Sequence, residues 1–161
     1  MNRNKEKGKA FERYVANDLT DIFNLSFTRT PNSGAYVGGM NKFRMDTLSE
    51  SQILLTEGDI IVPDEMRNLK IECKSYKEFP FHQLLSNCKL LNEWIDQAKS
   101  DDKLWLLIFK INHAGKYICF NSKYREDFDC GNASALYNEY TIVSYDGFFP
   151  INRDVLIDMC K

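Results

Sequence analysis

The segment KLWLLIFKI, residues 103–111, constrains the fold most strongly because it is almost continuously apolar. A strand of this kind has no polar face to turn toward water, so other elements must cover it on both sides. Two amphipathic helical segments earlier in the chain can supply those covers. Their apolar stripes are Phe11, Val15, Leu19 and Ile22 in the first, and Leu84, Cys88, Leu91, Ile95 and Ala98 in the second. The pattern predicts an α/β sandwich with a mixed central β-sheet flanked by helices.

Composition indicates one globular domain over residues 1–161. A chain of 161 residues can bury one core and is short for two. Its hydrophobic fraction of 43% and aromatic fraction of 13% are those of a folded protein. The five cysteines are odd in number and form no CxxC pair, which predicts reduced thiols. We expect a cytoplasmic protein, because no apolar run could span a bilayer and the N-terminal segment MNRNKEKGKAFERY lacks the apolar core of a signal peptide.

The charge is distributed unevenly along the chain. The formal net charge is −2, which by itself gives no indication of nucleic-acid binding. The segment up to Arg44 carries eight basic and four acidic side chains, a net +4, so the remainder carries −6. A basic N-terminal part can meet phosphate while the rest keeps the protein in solution. A solubilising terminus is the alternative explanation.

The other segments complete the expected sheet. LSFTRT (25–30) and the later segments KYICFNSK and YTIVSY are typical of strands, and INRDVLIDMC is typical of a short terminal helix. The proline and three glycines of PNSGAYVGGMNKF predict a loop. GDIIVPDE ends on a Pro-Asp turn signal and NLKIECKSYK follows directly, so we expect these two segments to pair as an antiparallel hairpin.

This expected hairpin concentrates unusual charges. Strand side chains alternate, so Glu72 and Lys74 share one face while Ile71 and Cys73 pack behind them. Pairing of the two strands would bring Asp59 close to Glu72. Two carboxylates and a backbone carbonyl, that of Cys73 for instance, form an oxygen-rich site suited to Mg²⁺. A neighbouring lysine can position or deprotonate a water molecule, or stabilise charge on a phosphate.

The acid, the spacer and the E-x-K sequence in GDIIVPDEMRNLKIECKS resemble the core hairpin of the PD-(D/E)XK nuclease superfamily. KGKAFERYVANDL resembles the first helix of that family, whose glutamate reaches the metal site, and Glu12 holds the matching position. FTRTPNSGAYVGG resembles the R-x-x-x-S-G loop of archaeal-type Holliday junction resolvases, which matches Arg29 and Ser33. The resemblance runs from about residue 8 to residue 76.

The resemblance implies a restriction-endonuclease-like sandwich and a set of roles for these residues. Glu12, Asp59 and Glu72, with the Cys73 carbonyl, would hold Mg²⁺, for which Mn²⁺ can substitute. Lys74 would activate or position water, and Ser33 and Arg29 would help to hold the phosphate. Resolution of a four-way DNA junction requires two symmetric cuts, so a two-fold homodimer is expected. Contacts to the DNA backbone are expected from Lys7, Lys9 and Arg13.

Several alternatives stay open at the level of sequence. Junction-resolving members of the family carry a glutamine on the helix after E-x-K, and here Gln83 and Gln97 are both candidates. Gln97 lies on the stronger helix and is the one expected to contact DNA. Residues 39–57 are expected to form a flexible insertion, which is either a flap that contacts DNA or a solvent-exposed elaboration of the fold. Other functions on the same fold are an endonuclease for linear or nicked DNA, as in restriction or repair, and a catalytically idle nucleic-acid-binding module.

Overall fold

A computed structural model describes residues 3–31 and 57–161. Ser33 and almost all of the expected insertion Gly39–Glu57 lie outside the described residues. Helix α1, Arg3–Phe23, opens the fold and ends at Asn24, whose φ of 54° is the left-handed conformation that terminates a helix. Two short strands follow, β1 (Thr28–Arg29) and β2 (Ile60–Ile61).

Among residues 3–31 and 57–161, five strands form the central sheet. They are β3 (Leu69–Tyr76), β4 (Leu104–Ile111), β5 (Gly115–Asn121), β6 (Ser134–Tyr137) and β7 (Tyr140–Ser144). Their spatial order is β3-β4-β5-β7-β6, with β3 and β4 parallel and all other neighbours antiparallel. Parallel strands need a crossover connection, and helix α2, Lys89–Ala98, lies in the link between β3 and β4. The mixed central sheet is the one that the sequence predicts.

Strand β4 is covered on both faces, as its apolar sequence requires. Leu104, Leu106 and Ile108 belong to the same buried cluster as the apolar side chains of α1. Trp105 and Phe109, which alternate with them, belong to a second cluster with the apolar side chains of α2. The sheet is therefore the middle layer of a sandwich, and α1 and α2 lie on opposite faces of it.

The prediction that GDIIVPDE and NLKIECKSYK pair as a hairpin is wrong. Strand β2 pairs antiparallel with β1, and β3 pairs with β4 instead. Strand β2 is only two residues long, and Pro63 leads directly into a 3₁₀ turn at Asp64–Met66, so no ladder can extend toward β3. The segment before β2 still lies along the edge of β3, because Asp59 N–H donates to the Ile71 carbonyl at 2.8 Å.

The remaining elements are short. The stripe that begins at Leu84 is split, because a 3₁₀ segment covers Phe81–Leu85 and α2 begins only at Lys89. A 3₁₀ turn at Ser122–Tyr124 follows β5, and helices α3 (Phe148–Ile151) and α4 (Arg153–Met159) end the chain. All five cysteines are free, as predicted. Within the part of the chain that the structure describes, no helix is long and apolar enough to cross a membrane.

Candidate active site

The site begins at the outer edge of β3, where Gly58 lets the chain approach closely. Gly58 has a φ of +78°, and a Cβ atom built on it would lie 2.6 Å from the Ile71 carbonyl oxygen. Any larger residue would therefore be strained and would push the segment away from β3. Because glycine occupies this position, the next residue, Asp59, is held directly against the strand.

Asp59 is fixed on three sides. Its N–H donates to the Ile71 carbonyl at 2.8 Å, and its own carbonyl accepts from Thr30 N–H at 2.9 Å. Its Oδ2 atom accepts a 2.8 Å hydrogen bond from the N–H of Cys73. The residue is 5% exposed, so this carboxyl group is buried beside the strand that carries Glu72 and Lys74.

The surroundings of Asp59 raise its pKa to about 7. Burial is the largest cause, and the negative charge of Glu72 raises the pKa further. The Cys73 N–H, which favours the ionised form, lowers the pKa; Glu12 raises it and Lys74 lowers it. Glu12, Glu72 and Lys74 thus all lie near enough to Asp59 to shift its pKa.

Lys74 is held between the sheet and α2. Its Nζ atom donates to Glu72 Oε1 at 2.8 Å, which strand alternation makes possible, and to Gln97 Oε1 at 2.5 Å. Of the two candidate glutamines, Gln97 is the one that contacts Lys74. The ammonium group is therefore fixed in direction beside two oxygen acceptors, and Gln97 positions Lys74.

Glu12 reaches the site from α1 and is paired with an arginine. It is 9% exposed, and Arg29 Nε donates to its Oε2 atom at 2.5 Å. Arg29 lies on β1 opposite Ile60, the residue that follows Asp59. The short β1–β2 pair thus connects Glu12 to Asp59. The expected contact of Arg29 with DNA stays a prediction, and so do those of Lys7, Lys9 and Arg13, of which Lys9 lies 3.9 Å from Glu6.

The donor types suit a hard divalent cation. In residues 3–31 and 57–161, no three His, Cys, Asp or Glu side chains are arranged to hold a metal ion by themselves. The carboxylates of Glu12 and Glu72 instead contact the cationic groups of Arg29 and Lys74. All candidate ligands are oxygen atoms, which Mg²⁺ and Mn²⁺ prefer. A cation among them would also offset the repulsion that raises the pKa of Asp59. The residues therefore fit such an ion.

Sequence reasoning missed the residues that position the acids. Gly58 stands directly before an acid at the start of a strand, and that placement is the signal that could have indicated a close backbone approach. The pairing of Arg29 with Glu12 joins residues that are far apart in the chain, and no local sequence pattern indicates it. Thr30 is buried, and its N–H donates a hydrogen bond to the Asp59 carbonyl. Its position next to Arg29 is the one sequence signal that could have indicated this role.

A mixed sheet between helices, with Asp59 on the edge of β3 and Glu72 and Lys74 on that strand, defines a nuclease of the PD-(D/E)XK type. In agreement, the family model described as "Phage putative PDDEXK endonuclease" matches residues 3–145. The chain belongs to this family of endonucleases. Neither the search of curated proteins nor that of solved structures gave a match.

Proposed function

We propose that this protein is a Mg²⁺-dependent DNA endonuclease that cleaves branched DNA, with four-way (Holliday) junctions as its substrates. The observation that carries the proposal is the position of Asp59, whose Oδ2 accepts a 2.8 Å hydrogen bond from the N–H of Cys73, the residue between Glu72 and Lys74. Glu72 and Glu12 raise the pKa of the buried Asp59 carboxyl group while Lys74 lowers it. Three acids and a lysine around one strand edge supply what hydrolysis of a phosphodiester needs, namely ligands for a cation and a group that directs water.

The side chains have distinct roles in this proposal. Asp59, Glu72 and Glu12, with the Cys73 carbonyl, would hold the ion, which when bound polarises the phosphate and lowers the pKa of water. Lys74, directed by Glu72 and Gln97, positions the attacking water or stabilises charge on the phosphate. Arg29 keeps Glu12 in place, and Ser33 and Arg29 would help to hold the phosphate.

Cleavage of defined DNA substrates tests the proposal. Wild-type protein is incubated with a synthetic four-way junction, a linear duplex and a single strand, in Mg²⁺, in Mn²⁺ and in EDTA. We expect the junction to be cut in either metal and not in EDTA. Glu72→Gln should slow cleavage by more than about a hundredfold. Glu65→Gln, an exposed acid of the neighbouring turn, is the matched control and should cut like wild type.

The outcomes separate the alternatives. Equal cleavage by Glu72→Gln and wild type, or undiminished cleavage in EDTA, would refute the assigned site. Preference for the linear duplex would identify an endonuclease for linear DNA on the same fold. Calorimetric titration with Mg²⁺ addresses a catalytically idle module, because such a module would show no heat that depends on Glu72.

The expected homodimer follows from the two symmetric cuts that a junction requires. Three large apolar side chains near α2 support a contact surface, because Tyr76, Phe81 and Leu85 are 43%, 41% and 94% exposed. Sedimentation at several concentrations measures the oligomeric state. Leu85→Asp should shift a dimer toward monomer, whereas a wild-type monomer on the junction would contradict this part of the proposal.

A further inference from the structure

Thr30 carries a buried hydroxyl group with no hydrogen-bond partner in the described part of the chain. The residue is 1% exposed. Within residues 3–31 and 57–161, its Oγ1 atom is the one buried side-chain nitrogen or oxygen that lacks a partner. Buried polar groups are nearly always paired, because an unpaired one keeps the full cost of its removal from water. The Thr30 hydroxyl therefore lowers the stability of the fold, and its presence needs another explanation.

Other inward-facing threonines of this chain show the usual arrangement. Thr141 is 0% exposed, and its Oγ1 atom is hydrogen-bonded to Ser122 Oγ at 2.8 Å. Thr20 is half-buried on α1 and donates from Oγ1 to the Ala16 carbonyl at 2.8 Å. Burial of a threonine in this fold thus comes with a partner for its hydroxyl group in both cases, and Thr30 differs from them.

Thr30 lies opposite Asp59 across the β1–β2 pair. The register of this pair places Arg29 opposite Ile60. It continues by one step, because the Thr30 N–H donates to the Asp59 carbonyl at 2.9 Å. Opposite residues of antiparallel strands project from the same face, with their Cβ atoms about 4.5–5.5 Å apart. The Thr30 hydroxyl and the Asp59 carboxyl group are therefore buried neighbours, although no direct hydrogen bond joins them.

Asp59 is also the acid of the candidate site that has no cationic partner. Glu12 forms an ion pair with Arg29, and Glu72 forms one with Lys74. Among the described residues, no basic side chain pairs with Asp59 in this way. One of its oxygens, Oδ2, accepts a backbone N–H, which leaves Oδ1 for a ligand. Asp59 is thus the acid with an oxygen to offer to a divalent cation, and Thr30 is its neighbour.

A hydroxyl group suits a position beside a hydrated cation. Mg²⁺ is bound by few protein groups and usually keeps several water molecules. Those water molecules need hydrogen-bond partners, and a threonine hydroxyl supplies one donor and two acceptor lone pairs. Partners of this outer kind fix the position of the ion, and their replacement typically lowers metal affinity by about 10–100-fold.

We propose that Thr30 is a positioning residue of the cation site, whose hydroxyl group hydrogen-bonds to a water molecule of the cation that Asp59 binds. The inference rests on the proposed metal-dependent function, and it adds to that function a residue beyond the acids and the lysine. It also explains why the chain keeps a costly hydroxyl at this position. The group lowers the stability of the protein without the ion and contributes affinity for the ion.

Thermal unfolding in EDTA measures the cost of the hydroxyl group. Thr30→Val removes the hydroxyl and nearly keeps the shape of the side chain, so it should raise Tm by about 2–6 °C. Thr141→Val is the matched control for a paired hydroxyl. It should lower Tm, because it leaves Ser122 Oγ without its partner. Opposite signs for the same substitution at two buried threonines separate the missing partner from any general effect of valine.

Calorimetric titration with Mg²⁺ and with Mn²⁺ measures the contribution to metal affinity. Thr30→Val should raise the Kd for either ion by about 10–100-fold. Thr30→Ser keeps the hydroxyl and should bind the ions like wild type. Thr28→Val removes an exposed hydroxyl of the same strand and should also leave the Kd unchanged. A purely structural role for Thr30 would move Tm and not the Kd.

The outcomes separate this inference from the proposed function. The inference is overturned by a Tm of Thr30→Val in EDTA that does not exceed that of wild type, by an unchanged Kd in Thr30→Val, by lost affinity in Thr30→Ser, or by wild-type protein that binds neither ion. If Thr30→Val cuts DNA with the Mg²⁺ dependence of wild type, Thr30 has no such role and the proposed function stands. If the Kd depends on Thr30 but no DNA substrate is cut, the role of Thr30 stands and the proposed cleavage fails.

Discussion

Replacement of Asp59 by asparagine should stabilise the protein, and increasingly so as the pH rises. Asparagine keeps an oxygen that can accept from Cys73 N–H, the contact that Asp59 Oδ2 makes at 2.8 Å, but it carries no charge. Asp59 has its pKa raised from 3.8 to about 7, chiefly by burial and then by Glu72. A carboxyl group whose pKa is higher in the folded state binds more protons there, so folding loses stability as the pH rises from about 4 through 7.

The size of the effect follows from the shift. Each pKa unit corresponds to about 1.4 kcal/mol, so complete ionisation of Asp59 above pH 7 costs at most about 4 kcal/mol. Part of that cost is already present at pH 5, which leaves about 2–3 kcal/mol between pH 5 and pH 8. For a chain of 161 residues, 1 kcal/mol moves Tm by about 2–4 °C. The Tm of Asp59→Asn minus that of wild type should therefore widen by about 5–10 °C over this range.

Thermal unfolding in EDTA, followed by circular dichroism at half-unit steps from pH 4.5 to 8.5, measures this difference. Asp64→Asn is the matched control, because it removes the same charge from an exposed turn next to β2 and should give a difference that does not vary with pH. A constant difference between wild type and Asp59→Asn would show that Asp59 ionises as readily in the folded chain as in the unfolded one. The account of the site as a cluster of repelling carboxylates would then be wrong.

Two further predictions concern groups that hold the site together, and a third concerns the free cysteines. Gly58→Ala should lower the free energy of unfolding by about 1–3 kcal/mol, because its φ is +78° and its Cβ would meet the Ile71 carbonyl; denaturant unfolding measures this, and an unchanged midpoint would contradict the close approach. Arg29→Gln should lower the free energy of unfolding by at least about 2 kcal/mol, because it leaves Glu12 without its guanidinium partner. A double-mutant cycle with Glu12→Gln should give a coupling energy between the two residues, and a coupling energy of zero would show that the pair does not stabilise the fold. A thiol reagent should label Cys130 first in the native protein, since the other four cysteines are buried. If the Cys130→Ser variant is labelled as fast as wild type, this prediction is refuted.

The layers of the fold could be predicted because their signals are local. An almost continuously apolar strand at 103–111 must be covered on both faces, and the helical spacing of apolar residues that begins at Phe11 and at Leu91 predicts the two helices that cover it. The shared face of Glu72 and Lys74 also follows from strand alternation alone. The observed 2.8 Å contact between them therefore needed no tertiary information.

The strand partners could not be predicted in the same way. Nothing in GDIIVPDE distinguishes an antiparallel partner of β3 from a short partner of β1, because both need only a β-branched pair before a proline. The choice depends on long-range contacts, namely the parallel pairing of β3 with β4 and the hydrogen bond from Asp59 to Ile71. A wrong pairing nevertheless placed Asp59 on the correct strand edge.

The supporting residues of the site were predicted only in part. The resemblance to PD-(D/E)XK nucleases selected Glu12, Arg29 and Gln97 but gave each an independent contact with metal or DNA. The structure pairs Arg29 with Glu12 and directs Gln97 at Lys74. Side-chain pairing of this kind depends on distances across elements, and sequence spacing does not encode those distances.

The hydrogen bonds between Asp59 and β3 also affect the tendency of the protein to aggregate at high concentration. Within the part of the chain that the structure describes, β3 is an outer strand of the sheet. An outer strand with unpaired N–H and carbonyl groups allows other copies of the chain to pair with it and aggregate. The Asp59 side chain occupies the Cys73 N–H, and its backbone occupies the Ile71 carbonyl. Asp59 of the candidate site thereby shields the edge of the sheet from self-association. An inactive form made for crystals with DNA should accordingly be Asp59→Asn, because an alanine at this position would leave the Cys73 N–H open to a neighbouring chain.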